Sequence, residues 1–67
     1  MAAPLYPRVR VKLTGTDGNA FAIIGKVTAA LREAGVSAPE QHRFRDEAMS
    51  GDYGHLLRVC MEWVDVR

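Results

Sequence analysis

The stretch Tyr53-Gly54-His55-Leu56-Leu57-Arg58-Val59-Cys60-Met61-Glu62-Trp63-Val64-Asp65-Val66 decides the fold, because its apolar residues fit two different periods. Tyr53, Leu56, Leu57, Cys60, Met61 and Val64 follow the spacing of one helical face. A strand over 56–66 would align Leu57, Val59, Met61 and Trp63, but it would put Asp65 on the same apolar side. The spacing therefore predicts a helix to about Glu62 and a short strand over 63–66. In that strand Val64 and Val66 face inward and Asp65 faces outward.

A partner for that strand is visible near the start of the chain. Arg8-Val9-Arg10-Val11-Lys12-Leu13 alternates strictly, with Val9, Val11 and Leu13 on one face and Arg8, Arg10 and Lys12 on the other. Residues 1–7, which include Pro4 and Pro7, read as a flexible lead-in that cannot become helix. If the two strands pair, Asp65 can meet the basic face of Arg8, Arg10 and Lys12.

Between them lie two further helical segments. Thr14-Gly15-Thr16-Asp17-Gly18-Asn19 is a turn cluster that ends on a capping residue, so a helix is expected from Asn19 or just after it. Over 20–34, Ala20, Ile23, Ile24, Val27, Leu31 and Ala34 share one broad side, flanked by Phe21 and Thr28. The adjoining stripe of Ala22, Gly25 and Ala29 is small enough for another backbone to approach, either a second helix of the same chain, which is the expected neighbour, or a partner chain. So apolar a helix must be covered on more than one side. Gly35 supplies its stop. Ser37-Ala38-Pro39-Glu40 then has the spacing of a capping box, with proline tolerated in the first turn. On the helix over 38–49 only Phe44, Ala48 and Met49 form an apolar edge, which makes it peripheral. Asp52 opens the last helix.

The expected architecture is a single α+β domain in the order β-α-α-α-β, a small two-stranded sheet with helices packed on one face. Two strands alone are marginally stable. The helix layer must support them, or a homodimer could extend the sheet to four strands and protect its edges.

Length and composition narrow the function. Sixty-seven residues leave room for one domain and one core, not for a cofactor domain beside a substrate domain. Setting aside nine alanines and Met1, 22 sizeable apolar side chains remain to fill that core. A net charge of +1 is far from the basic excess of most nucleic-acid binders. Its distribution is uneven: residues 1–32 carry five basic groups against Asp17, whereas residues 33–67 carry four basic and seven acidic groups. The single Cys60 excludes an intramolecular disulfide and fits a reducing, cytoplasmic setting. No run approaches the roughly 18 apolar residues of a membrane span, and Met1–Pro7 lacks a signal-peptide core.

Candidate site residues fall into three groups. Thr16, Asp17, Asn19, Asp52 and Tyr53 lie in two loops expected on one side of the domain, a polar patch suited to a ligand or partner. Arg8, Arg10 and Lys12 form a basic strand face. His42, Arg43 and Arg45, with Gln41, would be the reading residues if Ala34-Gly35-Val36-Ser37 were the turn of a helix-turn-helix. Against that reading, Leu31 stands where the motif expects a small residue and Gln41 where it expects an apolar one. His55 and Cys60 face nearly opposite ways on one helix, so no metal site is expected. No catalytic constellation and no cofactor cradle is recognisable.

Gly15-Thr16-Asp17-Gly18-Asn19-Ala20-Phe21-Ala22-Ile23-Ile24-Gly25-Lys26-Val27 and Ser50-Gly51-Asp52-Tyr53-Gly54-His55-Leu56-Leu57 resemble an uncharacterised family of small bacterial and phage proteins, over about Val11 to Val66. Gly54 stands where that family commonly has an acidic residue. The resemblance implies a free-standing domain carried by phages or other mobile elements, and with it accessory roles such as an inhibitor of host defence of the anti-CRISPR type. The combined expectation is a non-enzymatic module that binds a protein partner or self-associates. The alternatives are that defence inhibitor and a DNA-binding regulator using the helix at 38–49.

Overall fold

The computed structural model describes residues 3–13 and 18–67. The elements are β1 (Tyr6–Val11), α1 (Ala20–Glu33), α2 (Ala38–Ala48), α3 (Tyr53–Trp63) and β2 (Val64–Val66). Their order is the expected β-α-α-α-β. The two strands pair in parallel, a geometry that needs a long crossover, and the three helices supply it. Tyr6 pairs with Val64, Arg10 with Asp65 and Val11 with Val66, with an irregularity between Tyr6 and Arg10. Pro7 sits inside that irregularity, where its missing N–H is tolerated. The first strand therefore starts at Tyr6, earlier than the alternation alone indicates, so Tyr6 and Pro7 do not belong to a flexible lead-in. The pairing continues past the strands, from Leu5 N–H to Glu62 O at 2.9 Å and from Leu13 N–H to Arg67 O at 3.0 Å.

Val9 and Val11 are buried and Leu13 is partly buried, while Arg8, Arg10 and Lys12 stay exposed. Arg10 Nε lies 3.8 Å from Asp65 Oδ2, the cross-strand meeting that the alternation implied. Asn19 caps α1, its Oδ1 accepting from Phe21 N–H at 2.8 Å. At the other end Gly35 adopts φ +87°, with Gly35 N–H donating to Arg32 O and Val36 N–H to Leu31 O. That is the left-handed glycine stop in full.

Two local expectations are corrected. Ser37 occupies the N-cap of α2 but makes no side-chain cap bond. Its capping-box partner Glu40 is engaged elsewhere, accepting from the Tyr6 hydroxyl at 3.2 Å and lying 3.7 Å from Arg43. The last helix runs through Trp63, and its inner face is Leu56, Val59, Cys60 and Trp63 rather than one containing Tyr53 and Met61. The reason is aromatic. Trp63 stacks on Tyr6 with ring centroids 5.8 Å apart and meets Phe44 edge-on at 5.6 Å. With Phe44 sealed in this cluster, α2 is less peripheral than its composition suggests, although Phe44 and Ala48 are its only buried residues.

Trp63 is 1% exposed and touches rings from β1 and α2 at the point where α3 becomes β2. Replacing it with alanine should remove about 3–5 kcal/mol, comparable to all that so small a core supplies. Trp63→Ala is therefore expected to be largely unfolded at 25 °C by far-ultraviolet circular dichroism, while Trp63→Phe still folds.

Candidate functional site

The outer face of α1 carries the most exposed large hydrophobic side chain among the described residues. Ile23, Ile24, Val27 and Leu31 turn inward, but Phe21, next to the cap, is 72% exposed. A methyl group added at Gly25 would meet nothing within 4 Å. Ala22 and Gly25 of the small stripe are thus open to solvent, Ala29 is half-buried, and among the described residues no helix of the same chain packs over Gly25. α2 instead lies along the Ile24 and Thr28 edge of α1, where Arg45 and Met49 form a facing wall. Two adjoining depressions of about 220 Å³ each share Phe21, Ile24 and Met49 and make one groove along α1. Arg32 and Arg45 line one end; Asp52 and Tyr53 line the other. Met49 is 53% exposed and Tyr53 45%.

The groove's far end contains part of the expected polar patch. Asp52 caps α3, its Oδ1 accepting from His55 N–H at 2.8 Å. The Tyr53 hydroxyl lies 3.8 Å from where a Gly18 side chain would begin, so Gly18 and the start of α3 do come together. Asn19 and Asp52 each spend a side-chain oxygen on a helix cap. Thr16 and Asp17 lie outside the described residues.

The other candidates are not gathered into one surface. Arg43 pairs with Glu40 and borders a second depression with Leu5 and Met61, whereas Arg45 turns toward Met49 and α1. Two residues apart on a helix, they point in directions about 160° apart. His42 is exposed beside Arg45 and Asp46. On the sheet, Asp65 takes both Arg10 and Arg67, the latter at 3.1 Å, so the basic face is partly neutralised.

One cluster escaped the sequence. His55 Nε2 lies 2.9 Å from Glu47 O and 3.1 Å from Ser50 Oγ, and Ser50 Oγ itself donates to Glu47 O at 2.7 Å. A serine beside a histidine invites a nucleophile–base reading. The carbonyl argues otherwise: an oxygen that can only accept, 2.9 Å from Nε2, makes a hydrogen bond with it only if Nε2 is the donor, and in that tautomer Nε2 cannot take a proton from Ser50. The cluster closes the end of α2 onto the start of α3. The signal for it is Gly51, whose added Cβ would fall 2.7 Å from His55 Cγ and 2.8 Å from His55 Cβ.

Cys60 is fully buried, and burial pushes its thiol up to about 11. A thiol so held is a small hydrophobe and not a nucleophile. Burial, and then the hydrogen bond to Glu40, also raise Tyr6. No group of three metal-ligating side chains occurs among the described residues, and none of their helices is long and apolar enough to cross a membrane. No family model, curated protein or solved structure matches the chain.

Two predictions follow from these contacts. Gly51→Ala must push the His55 ring off Glu47 and should cost about 1–3 kcal/mol, read from urea unfolding. For Cys60, the folded thiol holds its proton above pH 9 while the unfolded chain releases it, so stability is complete below about 9 and falls as the pH rises toward about 11. The slope should be at most about 1.4 kcal/mol per pH unit, and Cys60→Ala should flatten it.

Proposed function

We propose that the chain is a non-enzymatic protein-interaction module, working in the cytoplasm, that engages its partner through the groove along α1. The observation that carries this reading is Phe21. Burying a phenylalanine is worth about 1.5–3 kcal/mol, yet this one stands outside the core beside the open backbone of Gly25. An aromatic anchor next to small residues, rimmed by charge, has the make-up of an interaction hot spot.

The two motif stretches support the same surface. Ala20, Phe21, Ile24 and Gly25 come from the first, Gly51, Asp52, Tyr53 and Leu56 from the second, and all of them line the groove. Their resemblance to small phage and bacterial proteins favours an accessory role for a mobile element, including occlusion of a host defence component. A DNA-reading role for α2 draws less support, because Arg43 and Arg45 point apart and the net charge is only +1. The lone thiol, sealed in the core, agrees with a reducing compartment.

The test is a photoreactive amino acid placed at Phe21 or, as control, at the exposed Arg58, with irradiation in the native cell. A discrete protein adduct from position 21 and none from position 58 is expected. The same adducts from both positions, or none from either, would count against the groove.

A further inference from the structure

We infer that the occupant of the groove is a second copy of this chain, with its α1 lying antiparallel across Gly25; this rests on the interaction reading above. A two-fold axis through Gly25 places residues equally far before and after it opposite one another. Phe21 and Ala29 are each four residues from Gly25, about 6 Å along the axis. The exposed ring of one copy therefore meets the small residue of the other, twice. Ala22 and Gly25 let the two backbones close without a clash, since nothing lies over Gly25 within 4 Å.

Charge fits the same operator. Each groove has Arg32 and Arg45 at one end and Asp52 at the other. No carboxylate lines the arginine end among the described residues. The two-fold axis swaps the ends, so Arg32 of each copy faces the Asp52 end of the other. An isologous interface requires this kind of self-complementarity. The net charge of +1 adds little repulsion between copies.

Extension of the sheet is the rival route to a dimer. β2 offers only three residues, and β1 carries Pro7 with Arg8 and Arg10, Lys12 following just beyond it. Proline and like charges are features that discourage strand pairing at an edge. The α1 face has no proline, and its two arginines sit at one end, which the two-fold axis sets toward the Asp52 end of the other copy.

Disulfide trapping tests the arrangement, because Cys60 is buried and leaves the native chain without an accessible thiol. Gly25→Cys should oxidise to a covalent dimer at least about tenfold faster than Met61→Cys, since only a position on the axis brings two Cα atoms within disulfide reach. By sedimentation the unmodified chain should approach twice 7.4 kDa as concentration rises, and Phe21→Asp should remain at 7.4 kDa. Equal oxidation rates, a dimer that survives Phe21→Asp, or an unmodified chain that stays at 7.4 kDa into the millimolar range would each overturn the pairing. Photo-crosslinking at position 21 separates the two readings. An adduct of two copies supports both, an adduct with a different protein leaves only the groove, and no adduct removes both.

Discussion

The ring of Trp63 holds this small domain together. It is the last helical residue of α3, and the next residue, Val64, already belongs to the sheet. It stacks on Tyr6 of β1 and makes an edge-to-face contact with Phe44 of α2. Three elements that are distant in sequence thus converge on one side chain. The parallel pairing of two short strands would not persist alone. It is maintained because the helix feeding β2 is anchored at its final residue, within one peptide of the strand.

The same economy explains what is left outside. Among the described residues thirteen hydrophobic ones form the buried core, drawn from both strands and all three helices. α2 spends Phe44 on the aromatic cluster and Ala48 on the centre, which places it beside α1 and not over it. Among the described residues none is left to cover Phe21, Gly25 and Met49. The groove is a consequence of where Trp63 draws its neighbours, and the proposed partner surface is the face that the intramolecular packing does not reach.

Much of the fold was legible because its signals are local. The alternation of Val9 and Val11 with Arg8 and Arg10, the caps Asn19 and Asp52, and Gly35 each act within a few residues. What could not be read depends on distant neighbours. In α3 six of the eight positions from Leu56 to Trp63 are apolar, so two faces were available, and Tyr6 and Phe44 select the one that buries Trp63. Glu40 had a helix start to cap but is diverted by a tyrosine 34 residues away. Of the candidate site, Asp52 and Tyr53 were identifiable from the sequence and do line the groove. Phe21, read as a helix flank, was not recognised as its anchor, because exposure of an aromatic on an apolar helix is a tertiary fact.

The central claim is that the core is complete without Phe21, and the chain's single tryptophan offers a direct reading of it. Urea unfolding of Phe21→Asp, followed by Trp63 fluorescence at the lowest protein concentration the emission permits, is compared with that of the unmodified chain. Equal stability is expected, or a gain of about 0.3–1 kcal/mol from an acid in the first turn of α1. A loss of about 1.5 kcal/mol or more would place Phe21 in the core and contradict the claim.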